Sequence, residues 1–387
     1  MIEKITIKNY KSIREQIDFE LKPVNILIGA NNSGKSNFLD AFAFLRDTLL
    51  EHAHSVNGKG INPSLQGAIE KRGGGKAICF TTEQFFQIAF TSQHFRYSLR
   101  MNLDQWEICR IAAEHLESIQ QPDRRFFEFS DGQVTIHDES GNDTSTPIGL
   151  QTALCEYMQR NRFISSGDQS ASNFAKRLSE IKVYDRIHTE QFSPIRTPKV
   201  PKAETILDED GGNLVGVLHQ LSQIQPKFLS ELNSLLKALF PDFVRISFPN
   251  NDRGEILISW EDENGRITNV TQLSDGTLKF LCLIAILKNP NPPALIGIDE
   301  VDANLHPMMQ TILAGMIEEA AQRTQIIATT HNPDFVSNFE PDEIVILQQY
   351  HGATEMRRFS TKGALEQWLQ DFTTRELWLM GELESRW

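Results

Sequence analysis

Apolar and polar positions alternate at the start of the chain. Ile2, Ile5 and Ile7 alternate with polar residues, and Ile17, Phe19 and Leu21 do the same, the period of half-buried strands. Residues 24–28, VNILI, are continuously apolar, as in a strand covered on both faces. From Lys35 the spacing becomes helical through SNFLDAFAFLRDTLL. The stretch from 51 to 205 is less regular. Residues 52–75 carry Gly, Asn, Ser and Pro and a Gly73-Gly74-Gly75 run, which predicts a mobile loop. Residues 78–90, 95–101 and 126–136 read as strands, the last with hairpin chemistry at Ser130-Asp131-Gly132. Helices are predicted near 106–119, 150–160 and 173–181. From 206 regularity returns, with helices at 208–221 and 227–240, strands at 244–248 and 256–260, and an apolar helix at 278–287. Buried strands follow at 294–300 and 325–328, then strands at 343–349 and 355–359 and helices near 364–370 and 374–380.

The junction between the 24–28 strand and its following helix carries Gly29-Ala30-Asn31-Asn32-Ser33-Gly34-Lys35-Ser36, which fits G-x-x-x-x-G-K-[ST] at every fixed position. A strand stops, a glycine-bearing loop turns and a helix begins. In such a loop the backbone N–H groups and the positive end of the helix dipole converge on a polyphosphate. Lys35 neutralises its outer phosphates, and the Ser36 hydroxyl is placed to hold Mg²⁺. Leu273-Ser274-Asp275-Gly276-Thr277 repeats the device: a serine hydroxyl and glycine N–H groups at a helix start form a second anion site. Standing alone, these residues read as a simple helix cap; their place upstream of the next motif favours the anion site. The 294–300 strand ends in Asp299 and Glu300. Asp299 can hold Mg²⁺, directly or through water, and Glu300 is the candidate general base for a hydrolytic water.

Composition narrows the class without naming the chemistry. At 387 residues, 40% hydrophobic and 23% charged, the chain is ordinary globular protein. The start, MIEKITIKNYKS, is charged from its third residue, and the longest apolar run, 280–287, falls short of the roughly 20 residues of a membrane helix. A cytoplasmic protein with no membrane partner is expected. Cys79, Cys109, Cys155 and Cys282 are isolated, which predicts buried free thiols and neither a zinc site nor a disulfide framework. A net charge of −13 argues against the whole surface gripping nucleic acid. Residues 51–203 hold 18 basic and 18 acidic side chains, so the negative excess lies elsewhere. Within them, residues 160–203 carry 9 basic against 4 acidic, a candidate basic face for DNA.

Asn9-Tyr10-Lys11-Ser12, followed by the phosphate loop and Asn37, resembles the N-termini of the RecF, SMC and OLD (overcoming lysogenization defect) group of ABC-type ATPases. LSDGT resembles their signature, residues 294–300 their Walker B strand, and Val301-Asp302-Ala303-Asn304-Leu305-His306-Pro307 their D-loop, with Val301-Asp302 where relatives often carry Pro-Glu. Thr329-Thr330-His331-Asn332-Pro333 resembles the switch-histidine segment. The resemblance covers residues 1–50 and about 206–345 well and the stretch between them poorly. No heptad run is long enough for a coiled-coil arm, which points to the compact branch.

The resemblance implies an α/β P-loop NTPase head with a mostly parallel sheet, an antiparallel N-terminal subdomain and a helical or mixed insertion. Residues 1–50 and 206–387 would form the ATPase domain, and 51–205 an insertion or lid. Gly29, Asn31, Asn32, Ser33, Gly34, Lys35, Ser36 and Asn37 would bind ATP, with Lys11 and Ser12 near base and ribose. Ser36 and Asp299 would hold Mg²⁺; Glu300, His331 and Lys35 would serve catalysis, and Gln84 or Gln87 would touch the metal and the attacking water. Ser274, Asp275 and Gly276 would close over the γ-phosphate held by another subunit, with Asp302 crossing the interface. One phosphate loop and one signature per chain then imply a head-to-tail homodimer around ATP. The function implied is an ATP-hydrolysing switch in DNA maintenance, repair or anti-phage defence. The tail carries no D-x-D pair of a Toprim nuclease, so a separate nuclease or other effector would be the partner. An ATP-dependent DNA clamp and a transporter's ATP-binding subunit are the alternatives.

Overall fold

The structure, a computed structural model, describes residues 1–49, 64–80, 83–130, 132–137, 143–147, 152–161, 169–358 and 378. The chain begins with β1 (Lys4–Tyr10), β2 (Ile13–Glu20) and β3 (Val24–Ile28), then α1 (Lys35–Leu49), α2 (Ser64–Glu70) and a single turn, α3 (Gly75–Ile78). A run of strands follows: β4 (Phe85–Thr91), β5 (Phe95–Leu103), β6 (Cys109–Ser118), β7 (Arg125–Ser130), β8 (Gln133–Ile136) and β9 (Thr144–Pro147). Helices α4 (Ala153–Asn161) and α5 (Gln169–Ser179) lead to β10 (Lys182–Tyr184), α6 (Leu214–Ile224) and α7 (Phe228–Leu239). Next come β11 (Phe243–Ser247), β12 (Ser259–Asp262), β13 (Ile267–Asn269), α8 (Asp275–Leu287) and β14 (Leu295–Ile298). Finally α9 (Pro307–Ala321), β15 (Gln325–Thr329), α10 (Pro333–Val336), β16 (Ile344–Tyr350) and β17 (Ala353–Arg358) complete the described fold.

The central layer is a six-stranded sheet in the order β10-β14-β15-β3-β16-β17, parallel except for β17. Its central strands β14, β15 and β3 are buried along their whole length because both faces are covered. Ile26 and Ile28 face one core with Ile296, Ile298, Ile326 and Ala328, packed by α6, α8 and α9. Leu27, Leu295 and Ile327 face the other, packed by α1 and the second sheet. Alternate residues thus serve opposite layers, as the two-residue strand period requires. The fold is α/β, with a mixed central sheet and a large antiparallel partner.

That partner is eight-stranded, in the order β2-β1-β4-β5-β6-β7-β8-β9, and antiparallel throughout. The two N-terminal strands and the irregular middle of the chain therefore share one continuous sheet. The middle stretch also supplies β10 to the edge of the parallel sheet. A small sheet, β11-β12-β13, completes the three found among the described residues.

Three local expectations are corrected. The helix expected at 106–119 is β6, a central strand bonded to both β5 and β7; pairing on two edges overrides the helix preference of Ala112, Ala113 and Glu114. Residues 64–70, expected inside a mobile loop, form α2, because Leu65 and Ala68 bury one turn apart against α1. The glycines do end that helix: Gly74 N–H closes on the Ile69 carbonyl at 3.1 Å with Gly73 and Gly74 at positive φ. The strand expected from 78 starts only at Phe85, after the turn α3. Residues 50–63 lie outside the described residues, as do the helices expected at 364–370 and 374–380 apart from Trp378. Cys79, Cys155 and Cys282 are buried free thiols, and Cys109 is half-buried. No helix among the described residues is long and apolar enough to cross a membrane.

Candidate nucleotide site

The site lies where β3, β14 and β15 end, the rim at which open α/β sheets take ligands. β3 runs straight into the phosphate loop, and the loop's glycines are fixed by close approach. Gly29 has φ +144°, and a Cβ there would stand 2.1 Å from the Leu347 carbonyl oxygen of β16. Gly34 has φ +102°, and its Cβ would meet Thr354 Oγ1 at 2.1 Å. No other residue fits either position without displacing its neighbour. Asn32 also takes positive φ, at +68°. Ser33, Gly34 and Lys35 are buried, while Asn31, Asn32 and Ser36 are exposed at the mouth. Lys35 Nζ donates to the Gly29 and Ala30 carbonyls at 2.8 and 3.0 Å, folding its cation back over the loop.

From the neighbouring strands come the carboxylates. Ser36 Oγ donates to Asp299 Oδ2 at 2.6 Å, joining the start of α1 to the tip of β14. The other Asp299 oxygen accepts the Thr329 hydroxyl at the end of β15. Thr329 Oγ1 in turn accepts the Glu300 N–H at 2.7 Å. Glu300 is exposed and sits at φ +45°, uncommon for a residue with a Cβ. Lys279 of α8 secures that turn, donating to the Glu300 and Ala303 carbonyls at 2.7 and 2.9 Å. Burial depresses the Lys279 pKa. His331 lies just beyond β15; burial and the nearby Lys35 charge lower its pKa, so the imidazole is neutral at neutral pH.

The N-terminal turn closes the back of the loop. Ser12 Oγ accepts from Asn37 Nδ2 at 2.7 Å and lies 2.8 Å from Thr354 Oγ1. Lys11, at φ +50°, places its ammonium 2.5 Å from Asp40 Oδ2 of α1. Asp40 also accepts from Tyr10 Oη at 2.7 Å and Arg72 Nε at 2.9 Å. Gln87 lies within β4, its amide on Ser98 Oγ at 3.1 Å, and the Gln84 carbonyl accepts from Leu103 N–H.

The signature forms a second constellation. Ser274 caps α8, its Oγ accepting the Thr277 N–H at 3.1 Å. Ser274 and Asp275 are exposed. Gly276 packs directly on the D-loop, since a Cβ there would stand 2.6 Å from Asn304 O. Asp302 is buried in that loop. Arg196, from the segment after β10, is buried beneath the signature. Its guanidinium donates to the Thr271 and Leu273 carbonyls at 3.1 and 2.8 Å, to Asp275 Oδ1 at 2.6 Å, and backwards to the Thr189 carbonyl at 2.9 Å. Arg196, Lys279, Thr329 and Thr354 escape a sequence reading; only Thr329 lies in a quoted motif, beside His331.

A family described as AAA domain, putative AbiEii toxin, Type IV TA system matches residues 24–337, from the strand before the phosphate loop to beyond His331. The chain belongs to this AAA family. Among similar proteins, the retron Ec83 probable ATPase of Escherichia coli is 23% identical over 413 residues, covering 95% of this chain and 75% of that protein. The Septu protein PtuA of Bacillus mycoides is 26% identical over 363 residues; the match covers 89% of this chain but only 40% of PtuA. A solved Smc head bound to the C-winged helix domain of ScpA superposes with a TM-score of 0.53 at 14% identity, covering 92% of this chain and 97% of that one. That likeness concerns the fold. The chain is thus a member of this AAA family with the fold of an Smc head. Its longest described helices, α1 and α9, have 15 residues each, so no coiled-coil arm occurs among the described residues.

Proposed function

We propose that the chain binds Mg²⁺-ATP in the phosphate loop, hydrolyses it, and works as a cytoplasmic switch that dimerises head to tail on ATP. The observation that carries this reading is the Ser36–Asp299 hydrogen bond of 2.6 Å, which brings together groups 263 residues apart. An alcohol and a carboxylate oxygen at one point suit a hard cation such as Mg²⁺. Bound there, the cation would neutralise charge on the phosphates. Lys35, Gly29, Asn31, Asn32, Ser33, Gly34 and Asn37 hold the phosphates, and Lys11 and Ser12 border the base and ribose. Glu300 accepts the proton of the attacking water, and His331 approaches the γ-phosphate. Ser274, Asp275 and Gly276 serve the partner's nucleotide, with Asp302 at the interface.

Similarity to a retron ATPase and a Septu protein supports anti-phage defence as the setting, with a separate nuclease or other effector as the responding partner. Residues 51–205 are the part of the chain best placed to carry that output. The test is a pair of variants. Lys35→Ala should lose nucleotide binding. Glu300→Gln should bind ATP with near-normal affinity while turnover falls by roughly 10²-fold or more, the usual scale for removing a general base. Normal turnover in Glu300→Gln would remove Glu300 from the chemistry.

A further inference from the structure

Thr354 lies in β17, 321 residues from the phosphate loop, and is buried against it. Its Oγ1 is 2.9 Å from the Ser33 carbonyl oxygen and 2.8 Å from Ser12 Oγ, and its backbone N–H donates to the Ser12 carbonyl at 2.7 Å. A hydroxyl has one proton, and a carbonyl can only accept. With the Thr354 proton on Ser33 O, the Ser12 hydroxyl completes the chain by donating to Thr354 Oγ1 while accepting from Asn37. The Ser33 carbonyl and the Gly34 N–H belong to one planar trans peptide and point in opposite directions. Anchoring that carbonyl toward β17 therefore turns the Gly34 N–H away from β17. Gly34 accommodates the approach only because it lacks a Cβ.

We propose that Thr354 is a positioning residue for the phosphate loop: its hydroxyl fixes the Ser33–Gly34 peptide so that the Gly34 N–H is presented to a nucleotide phosphate. The proposal rests on the phosphate-loop reading above and adds a residue that no contiguous motif contains. Without the hydroxyl, the peptide can rotate and the buried carbonyl loses its partner.

The experiment titrates Mg²⁺-ADP into the full chain, its Thr354→Val, Thr354→Ala and Thr354→Ser variants, and Lys35→Ala, and records the melting temperature of each without nucleotide. Thr354→Val removes the hydroxyl at nearly constant volume, and Thr354→Ala does so without overpacking. Both should bind about ten-fold more weakly, the scale of one lost hydrogen bond. Thr354→Ser should stay within about three-fold of the native affinity. Native affinity in both Val and Ala variants, with binding lost in Lys35→Ala, would overturn the proposal and leave the phosphate site standing. Equal losses in Val, Ala and Ser, matched by lower melting temperatures, would overturn it in favour of packing. Absence of binding by the unaltered chain would remove the phosphate-loop reading and the proposal with it.

Discussion

Arg196 shows how much of the signature's shape depends on one side chain outside it. Its guanidinium satisfies carbonyls at 271 and 273 and the Asp275 carboxylate, and ties them to the segment after β10. Arg196→Met keeps an unbranched apolar stem and removes the donors. An unsatisfied buried polar group costs about 1–3 kcal/mol, so a loss of roughly 2–4 kcal/mol is expected from denaturant unfolding. Turnover should fall further than ADP affinity, because the signature is disordered while the phosphate loop is intact. Equal losses in both would place Arg196 in general packing. The pairing of Ser36 with Asp299 was legible in the sequence because each lies in a contiguous motif. Arg196, Lys279 and Thr354 were not, because each meets its partners 79, 24 and 321 residues away.

At the scale of elements, the central strands β3, β14 and β15 were legible because they are apolar and end in motifs, whereas the short edge strand β10, Lys182–Tyr184, was not. The antiparallel sheet was only partly legible. β6 carries Ala112-Ala113-Glu114, and Glu114 turns inward instead of facing solvent. There its carboxylate accepts the Ala153 and Leu154 N–H groups at the start of α4, at 2.7 and 2.8 Å, and the Tyr97 hydroxyl at 3.0 Å. A buried acid used as a helix cap from another element has no local sequence pattern. Burial pushes its pKa up to about 7, against the pull of those hydrogen bonds. A carboxyl whose pKa is raised on folding stabilises the protein fully below its ordinary range near 4.5 and loses that contribution as pH rises through about 7. The urea midpoint should therefore decline between about pH 5 and pH 8, and Glu114→Gln should flatten the decline even where its absolute stability is lower. An unchanged slope in Glu114→Gln would assign the pH dependence to other groups.

The molecule as a whole joins two assemblies through shared elements. The phosphate loop, Walker B pair and His331 gather on one rim of the parallel sheet. The signature helix α8 packs by Gly276 on the D-loop and reaches by Lys279 to the turn bearing Glu300. In the proposed dimer, α8 serves the partner's nucleotide while bonding, through Lys279, to the backbone carbonyl of the residue whose carboxylate serves its own. Movement of α8 on closing would then reach Glu300 through a hydrogen-bonded contact, a physical route by which one nucleotide could inform the other.

The most direct measurement mixes two inactive chains, Lys35→Ala and Ser274→Arg, and records ATP hydrolysis after mass measurement has shown that they form a mixed dimer. If the site is shared, one intact composite site is restored and up to about half of the native turnover per mixed dimer returns. A mixed dimer that stays as inactive as its parents would contradict the shared site.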